Sequence, residues 1–251
     1  MTIFIRFYAE LTDLLPPSHR TGRIELEVSA HSTIKDIIQS LGIPHTEVDL
    51  ILASGQPAGF DYRPAEGDYI SVYPVFESFD IGSVTAIRPA PLRRPAFIAD
   101  VHLGKLARKL RLAGFDTLYD TRFSDNEIID TAEAQHRIIL TRDTGILKNN
   151  RVTHGCFIHH QDPALQFREI LQRLDLIHLI RPLSRCSICN GILKKTSGEL
   201  QHGDLPFTRD HLPETLYRCK SCNKLYWEGS HTQRFIGELE KIKTEFSKRG
   251  N

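Results

Sequence analysis

The sequence predicts a multidomain protein of mixed α+β and α/β class, with a strand-rich module first, a parallel-sheet domain next, and a small metal-stapled ribbon last. Three observations carry that prediction. Four of the five cysteines stand in two C-x-x-C pairs, Cys186/Cys189 and Cys219/Cys222, with 29 residues between the pairs. Three apolar runs in the middle of the chain each end on a carboxylate, at Asp100, Asp120 and Asp143, with helical periodicity between them. Residues 1–80 hold 5 Lys+Arg against 12 Asp+Glu while residues 81–251 hold 27 against 19, so an acidic end and a basic remainder face different partners.

The bulk composition, 40% hydrophobic and 25% charged over 251 residues, is that of an ordinary globular chain with room for two or three small domains. No apolar run approaches the ~20 residues a membrane helix needs, which excludes a membrane partner on the sequence. The chain runs from Met1 straight into an alternating pattern, with no signal peptide. Together with cysteines spaced as metal ligands, this points to a reducing cytoplasm. The fifth cysteine, Cys156, lies beside Phe157 and Ile158 and reads as a buried small hydrophobe.

The first module follows from its periodicities. Residues 2–8 and 23–28 alternate as half-buried strands. Ile34, Ile37, Ile38 and Leu41 then fall at helical spacing, with Ser32 or Thr33 to cap the start and Gly42 and Pro44 to end it. Residues 49–53 and 69–73 add two more strands. The order β-β-α-β-β in under 80 residues is that of a ubiquitin-like β-grasp. Residues 40–52 and 67–75 resemble the small sulfur-carrier proteins of thiamin and molybdopterin synthesis, whose C-terminal Gly-Gly is adenylated and thiolated. Here Pro74 continues through Phe79-Asp80 into Ile81-Gly82 with no Gly-Gly. The module therefore reads as one that docks onto a protein partner or regulates, and a sulfur-transfer accessory is the lesser reading.

Residues 81–95 form a linker: the stretch 83–95 has three prolines and three arginines, a density that resists helix and central strand. Beyond it, Ala96 to Asp100 is a short apolar run ending on an acid, as a buried parallel strand would. Leu103, Leu106, Ala107, Leu110 and Ala113 give a helix with Lys105, Arg108, Lys109 and Arg111 on its other face, and Gly114 is its C-cap. Residues 115–120 repeat the strand-then-carboxylate pattern. Ser124 and Glu127 make a capping box before Ile128, Ile129 and Ala132, and residues 135–143 close the β-α-β-α-β series on Asp143. Residues 149–160 and 164–174 supply one more strand and a covering helix.

In a parallel sheet the strand ends share one edge, where ligands of open α/β sheets bind. Asp100, Asp120 and Asp143, joined by Asp125 at a helix start, would repel one another there without a cation. Hard oxygen ligands select Mg²⁺ or Mn²⁺, and such an ion serves phosphodiester hydrolysis. Each residue also has a plainer explanation. Asp125 suits a helix dipole, Asp120 a turn, Glu127 the capping box alone, and Lys105 and Arg108 a solvated helix face.

The stretches 97–120, 124–129 and 137–143, with Arg185-Cys186 to Asn190, Tyr217 to Cys222 and Tyr226 to His231, resemble the Mut-seven carboxy-terminal RNase family, some bacterial members of which begin with a β-grasp module. The resemblance implies a PIN-like three-layer α/β/α nuclease domain over 96–182, a zinc ribbon and C-terminal helix over 183–251, and a β-grasp over 1–80. It implies metal-dependent RNA cleavage with Asp100, Asp125 and Asp143 at the acidic positions. Val101-His102 stands where a basic or aromatic residue follows the first aspartate in that family.

The cysteines form a closed tetrahedral set that binds Zn²⁺ structurally, since four sulfurs leave no open position; disulfides are the rival. Lys105, Arg108, Arg142 and His231 are the expected RNA contacts, and Lys194, Lys195, Lys220, Lys224, Tyr226 and Trp227 can hold phosphates or bases on the ribbon. Two functions follow: an Mg/Mn-dependent ribonuclease with Asp100 and Asp143 as principal ligands, or a non-catalytic RNA-binding adaptor on the same fold. The oligomeric state is left open by the sequence.

Overall fold

The computed structural model describes residues 1–74, 87, 95–196 and 215–247. Nearly all of the expected 81–95 linker, and the segment between the two cysteine pairs from 197 to 214, lie outside the described residues.

The first module is a five-stranded sheet over one helix. Strands β1 (Thr2–Phe7), β2 (Ile24–Glu27), β3 (Val48–Ala53), β4 (Gln56–Pro57) and β5 (Tyr69–Pro74) lie in the order β2-β1-β5-β3-β4, with β1 and β5 parallel at the centre. Helix α1 (Ile34–Ser40) starts on a reciprocal capping box between Thr33 and Asp36 and buries Ile34, Ile37 and Ile38 against Ile3, Ile5, Ile51 and Ile70. This is the β-grasp the periodicity predicted; the two-residue β4 and the 3-10 turns Ala9–Leu14, Pro17–His19 and His45–Glu47 were not foreseen.

The central domain is a four-stranded, all-parallel sheet in the order β7-β6-β8-β9: β6 (Ala96–Ala99), β7 (Asp116–Leu118), β8 (Ile138–Thr141) and β9 (Gly155–Phe157). The strands are short and apolar because both faces are covered. On one face Phe97, Ala99, Ile138, Leu140, Cys156 and Ile158 pack under α2 (Gly104–Leu112), α5 (Pro163–Arg173) and α6 (Ser230–Ser247). On the other, Ile98 and Ile139 pack under α3 (Asp125–Gln135) and α4 (Thr144–Lys148). The result is three layers, α/β/α. Cys156 is 2% exposed within the first core, as expected of a small hydrophobe. Helix α6 follows the ribbon in sequence but gives Leu239 and Ile242 to the central core, and Lys109 on α2 holds Glu238 at 2.9 Å.

The ribbon is an antiparallel sheet of β10 (Leu193–Thr196), β11 (Leu216–Cys219) and β12 (Leu225–Trp227). It is fastened to the β7 edge. Buried Arg111 donates to the carbonyls of Thr117, Ser187 and Ile188, at 2.8, 3.3 and 2.7 Å. Asn190 accepts from the Thr117 N–H and donates to Asp116, which also pairs with Arg137 and Arg185. Gly114, at φ +103°, closes α2 where a Cβ would lie 2.3 Å from the Arg181 carbonyl oxygen. Among the described residues no helix is long and apolar enough to cross a membrane.

Candidate functional site

Two places gather chemistry, and they differ in completeness. The first is the knuckle. Its four Sγ atoms, from Cys186, Cys189, Cys219 and Cys222, all lie within 4.8 Å of one another, with Cys186–Cys222 at 3.6 Å and Cys189–Cys219 at 3.4 Å. Tetrahedral Zn–S bonds of about 2.3 Å place sulfurs about 3.7 Å apart, so the set fits Zn²⁺. Gly191 permits this approach, since a Cβ there would stand 2.8 Å from the Cys219 sulfur. Burial pushes the Cys186 thiol up, but hydrogen bonds from Tyr226 and from the Cys189 and Ile188 backbone outweigh it and bring it down to about 6. Burial pushes Cys189 up to about 12, and its sulfur neighbours add to the rise. One thiolate is thus favoured by the protein alone, and four together call for a cation.

Tyr226 is the knuckle residue that sequence reasoning misplaced. It was expected to be available for base stacking, yet it is 9% exposed and its hydroxyl lies 3.0 Å from the Cys186 sulfur and 3.0 Å from the Ser187 nitrogen. The alternation along β12 carries the signal: Tyr226 pairs with Tyr217 on the core side of the ribbon.

The second place is the carboxyl edge of the parallel sheet. Asp100 directly follows β6 and Asp143 follows β8 by one residue, as predicted from their apolar runs. Asp100 is 5% exposed; its Oδ1 accepts the Val101 N–H at 2.5 Å and its Oδ2 accepts the Thr141 hydroxyl at 2.7 Å. The same Thr141 oxygen accepts the Asp143 N–H at 2.9 Å. One buried hydroxyl therefore ties both aspartates to the end of β8. Sequence reasoning passed over Thr141, although its place two residues before Asp143 was the available signal. Asp143 is exposed, and its Oδ1 caps α4 through the Gly145 N–H at 2.6 Å.

The other two aspartates are arranged differently. Asp125 is exposed at the first turn of α3, behind the reciprocal Ser124–Glu127 capping box. Asp120 receives both a backbone and a forked side-chain contact from Arg122, which hold its carboxyl down at about 2. Among the described residues, no three carboxylates draw their oxygens as close together as the sulfurs of the knuckle. Asp100 and Asp143 carry their carboxylates at the ends of neighbouring strands, and carboxylate oxygens are the hard donors that Mg²⁺ or Mn²⁺ takes from a protein.

The expected RNA contacts divide in the same way. Lys105 and Arg108 are exposed on the outer face of α2, which begins four residues after Asp100, and His231 is exposed at the start of α6. Arg142 is not free in this way. Its Nη1 donates to the carbonyls of Ile158, His159 and His160, so it straps the turn after β9 to the end of β8. In that turn His159 donates its Nδ1–H to Glu169 at 2.7 Å.

The profile of the Mut7-C RNAse domain matches residues 95–239, and that of the Mut7-C ubiquitin domain matches residues 1–80. Among solved structures, SAMP1 from Haloferax volcanii aligns at 16% identity and a TM-score of 0.26, covering 32% of this chain and 100% of its own. A second structure, H. volcanii small archaeal modifier protein 1, aligns at 17% identity and a TM-score of 0.24, covering 29% of this chain and 95% of its own. No curated protein matches the chain.

Proposed function

Because this chain belongs to the Mut7-C RNAse domain family, we propose that it hydrolyses RNA phosphodiester bonds at the carboxyl edge of its parallel sheet in a divalent-metal-dependent reaction. The observation that supports this reading is the Thr141 hydroxyl, which donates to the Asp100 carboxylate and accepts the Asp143 backbone N–H at adjacent strand ends. A Mg²⁺ or Mn²⁺ ion bound there would lower the pKa of a water and neutralise charge gathering on the phosphate. Asp100 and Asp143 are its principal ligands in this proposal, and Asp125 completes the set. Asp120 assists in this proposal, paired with the exposed Arg122 guanidinium. Lys105, Arg108 and His231 neutralise backbone phosphates. The ribbon, with Zn²⁺ on its four cysteines, shapes the neighbouring edge and adds Lys194, Lys195, Lys220 and Lys224, all exposed, to the basic surface.

The test is cleavage of labelled single-stranded and structured RNAs by the full chain in Mn²⁺, Mg²⁺ or EDTA, beside an Asp100→Asn/Asp143→Asn double variant. Loss of either ligand should lower the rate by more than the roughly 10–100-fold that changing a ligand's outer partner costs. Equal rates in wild type and double variant would remove the site from this edge. A second reading, an RNA-binding adaptor without turnover, draws on the commitment of Asp120 to Arg122. Salt-sensitive binding with no cleavage in either metal is its signature.

A further inference from the structure

The acidic β-grasp domain is joined to the central domain by more than a linker. The short 3-10 turn His45–Glu47, just before β3, sits against β9 and α4, and its polar side chains are taken out of water: Glu47 is 0% exposed and His45 8%. A buried carboxylate is retained only where it is paired and hydrogen-bonded. Glu47 meets both conditions in the other domain. Its Oε1 accepts the Phe157 N–H at 2.6 Å and its Oε2 accepts Arg173 at 2.6 Å. Phe157 belongs to β9, the outermost strand of the parallel sheet, whose outward N–H would otherwise lack a strand partner. Arg173 donates to the Phe157 carbonyl at 2.8 Å, so the two domains together close that edge.

The network continues inward. Arg173 also lies 3.8 Å from Glu169, whose side chain is 7% exposed. Burial raises the Glu169 carboxyl, but contacts from His159 and His160 outweigh it and hold it below the usual range. Glu169 Oε1 accepts the His159 N–H at 3.0 Å and its Nδ1–H at 2.7 Å, and Oε2 accepts the His160 N–H at 3.3 Å. Strand register places this turn beside the candidate site: Thr141 pairs with Phe157, so Arg142-Asp143 and Ile158 to His160 leave the sheet together. Anion, cation, anion and imidazole thus alternate from the β-grasp domain to the residues flanking Asp143.

We propose that the β-grasp domain is a positioning subunit of the carboxyl edge, with Glu47 as the positioning residue that sets the turn 158–160 through Arg173 and Glu169. The first partner of this ubiquitin-like domain is then the nuclease domain of its own chain. The significance of that turn rests on the ribonuclease reading; the coupling itself does not.

The experiment is amide hydrogen exchange on the full chain, without RNA or divalent metal, for Glu47→Gln, Glu169→Gln and the double variant. In Glu47→Gln the side-chain amide oxygen can still accept the Phe157 N–H while the charge that holds Arg173 is gone, so Phe157 does not decide in this variant. The deciding amides are His159 and His160, which touch Glu169 and not Glu47. The proposal expects their exchange to rise about 10-fold in Glu47→Gln, the size of one lost charge-assisted hydrogen bond. Amides of β8 and β1 should stay unchanged. Glu169→Gln should reciprocally quicken Phe157, and the double variant should fall short of the summed effects. Unchanged His159 and His160 amides, a uniform rise over the whole chain, or strict additivity would each overturn it. If Glu47→Gln does not fold, the Phe157 response in Glu169→Gln decides alone. Because no cleavage is read, a chain that proves inactive on RNA still shows whether the two domains are coupled.

Discussion

In the ribbon, four sulfurs from two short turns lie within 4.8 Å of one another. At the carboxyl edge of the sheet, four aspartates from separate strand and helix ends each finish on their own donors: Asp100 on Val101 and Thr141, Asp143 on Gly145, Asp120 on Arg122, and Asp125 in water at the start of α3. The difference lies in what the polypeptide can satisfy by itself. Carboxylates accept N–H and O–H bonds in any number of loops, so an acidic edge folds without a cation. The four close sulfurs also accept a few N–H and O–H bonds, which favour one thiolate at Cys186, but four thiolates packed this closely repel one another and ionise together only around a soft cation. Metal should therefore be a folding component at one site and an optional ligand at the other.

The largest effect should come from stripping the ribbon. Structural zinc sites contribute about 10 kcal/mol or more to the folding of small metal modules. The chain should carry one zinc, and a strong chelator or Cys186→Ser should unfold the ribbon. The same treatment should expose the β7 edge, because Asn190 and the Ser187 and Ile188 carbonyls fasten the knuckle to Thr117 and Arg111. Zinc stoichiometry with hydrogen exchange over residues 116–118 measures this. An apo chain that keeps those amides protected would break the comparison, since thiols alone would then hold the knuckle. Adding or removing Mn²⁺ should leave the melting temperature nearly unmoved.

How much of this was legible in the sequence depended on whether partners were local. The knuckle could be read because each Cys-x-x-Cys supplies two ligands from one turn. The helix start at Ser124 was readable because its capping partner Glu127 sits three residues away, while the start of α1 was narrowed to Ser32 or Thr33 and the structure gives Thr33 with Asp36. Asp100 and Asp143 were visible as ends of apolar runs, since a strand buried on both faces has few polar residues. What stayed hidden was long-range. Glu47 finds Phe157 and Arg173 at 110 and 126 residues' separation, and no local pattern encodes that. Arg142 looked like a free cation until the turn after β9 placed three carbonyls on it. The short helix α4 was missed because five residues show too little periodicity.

Acid should loosen the joint between the domains and leave the two sites as a background. His45 donates Nε2–H to the Val152 carbonyl at 2.9 Å, and its Nδ1 accepts from Gln39 at 3.2 Å. That pattern needs the neutral ring. Burial first, then the charge of Lys35, lower His45 to about 4. With the folded value below the unfolded value of about 6.5, the unfolded chain binds the proton more readily, so stability is complete above pH ~6.5 and falls as pH drops toward 4. The loss is at most about 3 kcal/mol. His45→Gln should flatten this part of the curve in urea titrations between pH 7 and 4. Zinc release is common to both proteins and cancels in the difference. Parallel curves would place the acid sensitivity elsewhere.

The next step down tests the carboxyl edge itself. Thr141→Val keeps the shape of a fully buried side chain but removes the hydroxyl shared by Asp100 and Asp143. Leaving those groups unpaired should cost about 1–3 kcal/mol. If the aspartates bind Mn²⁺, the same change should weaken that binding by roughly 10–100-fold, as loss of an outer-sphere partner does. Zinc content should not change. A variant that loses stability but keeps its Mn²⁺ affinity would show that Thr141 serves the fold alone, and that the pair it joins is not the metal site.

The smallest effect belongs to Arg122, and it asks whether the edge already contains its own counter-charge. Arg122 holds Asp120 at about 2, so the carboxylate is ionised and occupied throughout the useful pH range. In Arg122→Ala, Asp120 returns toward the ordinary carboxylate range and is still ionised at pH 7, now without a partner. Both side chains meet solvent, and exposed pairs contribute little to folding, so the melting temperature should hardly move. Metal affinity is the sensitive readout. If Asp120 lies within reach of the ion held by Asp100 and Asp143, removing its internal cation should tighten Mn²⁺ binding severalfold while RNA binding weakens. If Mn²⁺ affinity is unaltered, Asp120 belongs to the loop and not to the site, and the proposed ligand set narrows to Asp100, Asp143 and Asp125.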